Sequence, residues 1–305
     1  MAQDLTPRLD LQRLYQDTEK YAAITEVPFN GTVVRQFLDA YQELYATSAI
    51  ALRTTTKAPG KRELSLRYIN HGHPHDPYQI ALERGFLREA GHPIENLVTE
   101  VQERIPLLGF GVDVGVSHGL EKIWPLFSVG VPLAKLYELP SMPAAIATYD
   151  AYFKKYGLEA VTLLALDYMN KSVNLYFPIN KEPGSCTIDI AAGIIGDLGF
   201  KVPPPEELEL NTRGGILYHT FTWDSPRCER VSFGVAHAPM HEFPVHLHPL
   251  FQRLYDEAPV VSQEARASLG TAYLPNHSDY LKFEMDYTGT MLNMLGASIF
   301  VPLMN

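Results

Sequence analysis

Cysteine is nearly absent. Cys186 and Cys228, in 305 residues, are too few and too isolated for a disulfide framework or a cysteine-held zinc site, and they point to a reducing compartment. No apolar run approaches the ~18 residues that a membrane span needs. The polar start Met1-Ala-Gln-Asp-Leu5 carries no secretion signal. Positive charge is short as well: 25 Lys and Arg against 35 Asp and Glu leave a net charge of −10. That argues against a general nucleic-acid or anionic-membrane surface, though not against a local basic pocket. Linkers, low-complexity stretches and charge blocks are missing, so the expectation is one domain over 1–305, cytoplasmic and monomeric, with no nucleic-acid or membrane partner. The chain also lacks a Gly-rich phosphate loop and a Gly-x-Ser-x-Gly elbow, which removes the commonest nucleotide and hydrolase readings.

What the chain does have is alternation. Apolar residues at three- and four-residue spacing predict helices over 8–22, 31–45, 77–88, 93–102, 141–155, 187–198, 243–256, 261–268 and 288–300. Between them, period-two stretches pair as hairpins: 49–57 with 63–70, 107–114 with 121–127, 161–167 with 172–177, 214–223 with 229–236, and 271–274 with 278–287. The hairpins recur with helices between them, the mark of a repeated supersecondary unit.

Each strand carries one apolar and one polar face, because successive side chains point to opposite sides. The polar faces hold Arg53 and Thr55; Ser65 and Arg67; Lys122 and Trp124; Ser172, Asn174 and Tyr176; Tyr218 and Thr220; Arg230 and Ser232; and Tyr280, Lys282, Glu284 and Asp286. With helices over the apolar faces, ten strands of this kind predict an α+β fold. Five α-β-β-α units would build a closed ten-stranded antiparallel barrel with a polar lumen. Five inward cations, Arg53, Arg67, Lys122, Arg230 and Lys282, would repel one another unless a polyanion such as a diphosphate binds among them. Asn174, Tyr176, Tyr218 and Thr220 would add neutral hydrogen-bond donors. The competing reading pairs these cations with surface acids around an open sheet. The runs His71-Gly-His-Pro-His75 and His246-x-His248 invite a metal-dependent hydrolase, but no carboxylate follows at a ligand-like spacing. Asp-rich motifs that hold a diphosphate through magnesium are also missing.

Several segments together carry a resemblance: Asp76-Pro-Tyr78, Gly91-His-Pro93, Gly119-Leu-Glu-Lys122, Leu139-Pro-Ser-Met-Pro143, Val173-Asn-Leu-Tyr-Phe177, Glu229-Arg-Val231 and Asp279-Tyr-Leu-Lys282. Over most of its length the chain resembles the soluble aromatic prenyltransferases of the ABBA type, those of aminocoumarin and naphterpin biosynthesis above all. The resemblance implies diphosphate binding by Lys122, Asn174, Tyr176, Tyr218, Arg230 and Lys282, with Arg53 and Arg67 as the extra cations of the magnesium-independent branch. Ser65 stands where the magnesium-dependent branch has an Asp, so no cofactor is expected and magnesium is expected to be dispensable. A lysine that some members use corresponds to Asn170. Glu284 matches a glutamate near the acceptor.

The implied activity is transfer of a dimethylallyl, or alternatively a geranyl, group from its diphosphate to an electron-rich aromatic carbon. The acceptor would be a phenol, hydroxynaphthalene, phenazine or indole of secondary metabolism. The barrel is expected to shield the allylic cation, the faces of Trp124, Tyr176 and Tyr218 to stabilise it, and Glu284 to orient the acceptor or take its proton, or else to pair with Lys282 or Arg230. Trp124 and Asp113 complete the expected acceptor site. The alternatives are a non-catalytic barrel carrying a small ligand, and the metal-dependent hydrolase.

Overall fold

The computed structural model of the chain describes residues 9–71, 75–179, 182, 184–262, 265–276 and 279–290, with only the backbone of 235–237. Helices α1 (Leu11–Thr25), α2 (Gly31–Ala40) and α3 (Gln42–Thr47) lead into strands β1 (Ala49–Thr55) and β2 (Leu64–His71). Helices α4 (Pro77–Glu83) and α5 (Pro93–Arg104) precede β3 (Leu107–Gly115) and β4 (Gly119–Pro132). Helices α6 (Leu133–Tyr137) and α7 (Asp150–Lys155) precede β5 (Ala160–Asp167) and β6 (Ser172–Pro178), and α8 (Ile188–Asp197) and α9 (Pro205–Asn211) precede β7 (Ile216–Thr222) and β8 (Arg230–Pro239). The last unit is α10 (Pro249–Glu257), β9 (Arg266–Tyr273) and β10 (Asp279–Asp286).

Every strand pairs antiparallel with its neighbours, and β10 returns to β1, from Ala51 opposite Asp286 to Thr55 opposite Lys282. The barrel therefore closes and leaves no edge strand exposed. Its outer face packs under the helices: Phe177, Phe221, Phe233 and Phe283 are essentially inaccessible, each contributing about 1.5–3 kcal/mol of apolar burial. A separate, smaller apolar cluster lies inside the barrel, built from Ala49, Ala51, Ile69, Trp124, Leu126, Leu163, Ala165, Tyr176, Ile216 and Tyr218.

Three local expectations fail. The helix over 261–268 is overturned: 266–273 is strand β9. Ala and Leu are good helix formers, but propensity is a weak preference that tertiary pairing overrides. Pairing with both β8 and β10 satisfies the whole backbone and closes the barrel. The inward side of β9 is small, Ser268, Gly270 and Ala272, because the lumen is crowded there. A Cβ on Gly270 would lie 3.2 Å from the Phe233 carbonyl oxygen and 3.6 Å from Lys282 Cβ. The helix over 31–45 breaks at Tyr41, whose buried hydroxyl donates to the Pro77 carbonyl at 2.9 Å. The helix over 243–256 starts only at Pro249, capped by His248, whose Nδ1 accepts from Leu250 N at 3.1 Å. The preceding Pro244 lacks the N–H that a continuous helix needs. From residue 291 onward, the helix expected over 288–300 lies outside the described residues, as does most of the first histidine run.

Candidate active site in the barrel lumen

The register sorts the inward side chains along the barrel axis. Ala49, Ile69, Leu126, Leu163, Ile216 and Gly234 gather toward one end, while Thr55, Ser65, Lys122, Asp167, Ser172, Thr220, Arg230 and Lys282 gather toward the other. Arg53, Arg67, Asp113, Asn174, Tyr218 and Glu284 lie between the two ends. A cavity of about 750 Å³, counting its open mouth, is walled by Arg53, Arg67, Ile69, Trp124, Leu163, Tyr176, Ile216, Tyr218, Ser268, Lys282 and Glu284. Thus one lumen presents a charged half and an apolar, aromatic half.

Three of the five expected cations already have anionic partners. Arg67 grips Asp113 with both arms of its guanidinium, Nε to Oδ1 at 2.6 Å and Nη2 to Oδ2 at 2.9 Å, and its Nη1 donates to Glu284 Oε2. Arg53 adds a longer contact to Asp113 Oδ2 at 3.4 Å. Burial pushes the Asp113 carboxyl up, but Arg67, then Arg53 and Lys122, outweigh it and hold the carboxyl below its usual range. Lys122 sits 3.0 Å from Asp167. Asn170 does not enter the lumen cluster; its backbone and side-chain N–H groups brace Asp167 at 2.8 and 3.1 Å. Burial pushes the Asp167 carboxyl up, but Lys122 and these hydrogen bonds outweigh it and leave the carboxyl lowered.

Arg230 and Lys282 are different. Arg230 donates only to neutral groups: Thr220 Oγ1 at 3.2 Å, Tyr280 Oη at 3.0 Å and Asn174 Oδ1 at 3.4 Å. Lys282 hydrogen-bonds Tyr218 Oη and donates to Ser232 Oγ at 2.7 Å. Among the described residues neither hydrogen-bonds a carboxylate. Buried Lys282 and half-buried Arg230, both with neutral partners, form with Arg53 a socket with a deficit of negative charge. A polyanion would fill that deficit.

Beneath the socket Tyr176 and Tyr218 stack at 4.4 Å between ring centroids, and Trp124 leans on Tyr176 at 5.2 Å. Arg67 lies 4.2 Å above the indole of Trp124, and Lys282 4.3 Å from the ring of Tyr218. This stack offers π-faces to a cation formed next to the socket.

The expected site residues Arg53, Arg67, Lys122, Asn174, Tyr176, Tyr218, Arg230, Lys282, Trp124, Asp113 and Glu284 all come together in this lumen. Asp113 lies fully buried behind the two arginines. Sequence reading placed Tyr280 on the inward face with Lys282 but gave it no role at the site, and it missed Glu121. Burial works against ionisation of Tyr280, yet Arg230, Lys57 and Arg53 bring its phenol below the usual range. Glu121 also turns inward, where a bulge between Asp113 and Val114 shifts the register; it accepts from Ser65 Oγ at 2.7 Å and lies 3.0 Å from His118 Nε2. Among the described residues no three His, Cys, Asp or Glu side chains converge as metal ligands. No helix among the described residues is long and apolar enough to cross a membrane.

Comparison with known proteins agrees with this geometry. The family described as aromatic prenyltransferase Orf2 matches residues 9–299. A flaviolin linalyltransferase of Streptomyces virginiae is 35% identical over 74% of this chain and 75% of its own. A 5,10-dihydrophenazine-1-carboxylate 9-dimethylallyltransferase of Streptomyces anulatus is 29% identical over 90% of this chain and 92% of its own. The solved structure of the 5-dimethylallyltryptophan synthase of Streptomyces coelicolor superposes with a TM-score of 0.56 at 12% identity, over 92% of this chain and 97% of that one, and shares the fold.

Proposed function

The chain belongs to the aromatic prenyltransferase Orf2 family, and from that premise we propose that it moves a dimethylallyl group from dimethylallyl diphosphate to a carbon of an electron-rich hydroxy- or amino-aromatic ring. The single observation that carries this reading is the adjacency of the Arg230–Lys282 socket to the aromatic stack and the apolar half of the lumen.

Arg230, Lys282 and Arg53, with Tyr280 and Asn174 as neutral partners, receive the diphosphate. As the allylic C–O bond breaks, its electron pair leaves with the diphosphate, and these fixed cations and dipoles stabilise the growing charge without reorganising. The allylic cation faces Tyr176, Tyr218 and Trp124, each π-face contributing ~0.5–2 kcal/mol. The acceptor ring lies in the apolar half and supplies a π-electron pair to the new C–C bond. Its displaced proton passes to the Glu284 carboxylate and on to solvent through the mouth. Ser65 carries a hydroxyl engaged with Glu121, and the socket is cationic by itself; both features support turnover without magnesium.

The test is product formation from dimethylallyl diphosphate with phenols, hydroxynaphthalenes, phenazines and indoles, in EDTA and in magnesium, with geranyl diphosphate in parallel. Prenylated product in EDTA is expected. Product only with magnesium overturns the cofactor reading, and failure of the diphosphate to bind overturns the socket.

A further inference from the structure

One polar group of the socket is unlike the rest. Tyr280 stands two residues before Lys282 on the inward face of β10, half-buried, with Ala272 of β9 opposite it. Its Oη accepts from Arg230 Nη1 at 3.0 Å, and its own O–H donates to no group among the described residues. Lys57 Nζ lies 4.8 Å from the ring centroid and Lys282 Nζ 5.6 Å from it. Of the carboxylates on this side, Glu63 is held by Lys57 at 2.6 Å and Asp279 is exposed. Burial pushes the phenol's pKa up, but Arg230, Lys57 and Arg53 outweigh it, so a phenolate forms here more readily than on an ordinary tyrosine. Breaking the allylic C–O bond turns the bridging oxygen of the diphosphate into a terminal one, and the leaving group gains one negative charge. Arg53 and Arg230 meet that charge as fixed cations, because a guanidinium does not give up its proton. A proton delivered to the oxygen neutralises the new charge outright.

We propose that Tyr280 is the catalytic acid for the leaving group: its O–H delivers a proton to the diphosphate oxygen released from the allylic carbon. The inference rests on the prenyl-transfer reading of the same lumen. The C–O electron pair goes to oxygen, the phenol proton joins that oxygen, and Tyr280 is left as a phenolate bonded to Arg230 and flanked by Lys57 and Lys282. The ring proton displaced in the apolar, acceptor half of the lumen goes to Glu284 and on to solvent. Solvent then returns a proton to the phenolate, so one proton has left the acceptor and one has ended on the diphosphate. Lys282 is the rival acid. A proton taken from Lys282, however, would cancel one of the cations that hold the leaving group, whereas Tyr280 leaves Arg53, Arg230 and Lys282 all charged.

The experiment measures C–O cleavage as diphosphate release in single turnovers of dimethylallyl diphosphate with a dihydroxynaphthalene, in light and in heavy water. Donor affinity is measured separately by titrating an unreactive thio analogue of dimethylallyl diphosphate. Tyr280→Phe should lower the cleavage rate by about 100-fold more than it weakens analogue binding. Wild type should run slower in heavy water, because the phenol proton exchanges with solvent and the ring C–H proton does not, and Tyr280→Phe should lose that difference. A fluorinated tyrosine at position 280, a more acidic phenol, should restore the rate and move the alkaline fall of the pH–rate profile to lower pH. Equal losses of rate and affinity in Tyr280→Phe, with the heavy-water effect kept, overturn the inference and make Tyr280 a support for Arg230. Loss of the heavy-water effect in Lys282→Met and its survival in Tyr280→Phe overturn it in favour of the lysine. Failure of the analogue to bind wild type is a different result, the failure of the prenyl-transfer reading.

Discussion

Lys282 should bind the donor's diphosphate by taking up a proton. Its amine is buried in the lumen, hydrogen-bonded to the Tyr218 and Ser232 hydroxyls, with no carboxylate partner among the described residues. Burial, then Arg53, Lys122 and Lys57, push its pKa well below the usual lysine value, and Glu63 opposes them only in part. Tyr280 and Glu284 share its strand face, and Arg230 lies across from it. The amine in the free protein therefore gives up its proton more readily than an ordinary lysine, whereas a bound diphosphate stabilises the ammonium. For folding, the unfolded chain binds one more proton than the native one between the lowered value and about 10.4, so stability rises with pH through that window. Donor binding runs the other way: above the lowered value the complex gains the proton, and affinity falls by up to tenfold per pH unit, equivalent to about 1.36 kcal/mol. The assay is calorimetric titration of the thio analogue between about pH 7.5 and 9, where the phosphate groups, with pKa near 6, no longer titrate. Two buffers of different ionisation enthalpy report the protons taken up. The log of Kd should rise with pH, with a slope of up to one that matches the protons taken up. Lys282→Met should flatten the slope and weaken binding at pH 7.5 by roughly 10- to 150-fold, the loss of one charged hydrogen bond of ~1.5–3 kcal/mol. Tyr280→Phe controls for the other shifted group and should keep the slope. A flat wild-type profile without proton uptake, or a slope that survives in Lys282→Met, refutes the reasoning.

Three further outcomes follow from buried groups. Asp113→Asn strips Arg67 of its bidentate partner and Arg53 of its nearest carboxylate; it should cost about 3–5 kcal/mol, and an unshifted urea midpoint would count against the network. His219 is enclosed among Tyr152, Phe153 and Phe177, and burial pushes its pKa down to about 3. Below an unfolded-state value near 6.5 the unfolded chain binds the extra proton, so stability should fall by up to ~1.4 kcal/mol per unit as pH drops from 6.5 toward 3. His219→Gln should flatten that acid limb in urea melts at graded pH. A Cβ on Gly234 would lie 2.5 Å from Ile216 Cγ2. Gly234→Ala should therefore push Ile216 into the acceptor half and raise KM for two-ring acceptors roughly tenfold, with donor Kd within about twofold; unchanged acceptor kinetics would place the acceptor elsewhere.

The barrel was legible in sequence wherever apolar and polar residues alternate cleanly. Ser172-Val-Asn-Leu-Tyr-Phe177 declares its two faces, and so does 279–286. In β9 only the end from Thr271 was legible as strand; the first half was not, where Ala267 and Leu269 point outward and Ser268 and Gly270 inward. Small residues on both sides leave almost no contrast for a period-two reading, so local helix propensity prevailed until pairing with β8 and β10 decided the matter. Glu121 escaped for a related reason: a bulge changes the face on which a residue lands, and nothing in the neighbouring side chains announces it.

In the lumen, alternation identified the right face but could not rank its residues. Period two places Arg53, Arg67, Lys122, Arg230 and Lys282 on the same side and treats them as equals. Their partners arrive from other strands: Asp113 from β3 for Arg67 and Arg53, Asp167 from β5 for Lys122, and Glu284 from β10 for Arg67. Each of those pairs spans at least 45 residues of sequence, so only the closed register brings it together. Once paired, the cations separate into two kinds. Arg67 and Lys122 are bound to carboxylates and shape the walls, whereas Arg230 and Lys282 have neutral partners and retain their attraction for an anion. One ion network therefore decides which cations are tied into the walls of the lumen and which keep their attraction for a diphosphate.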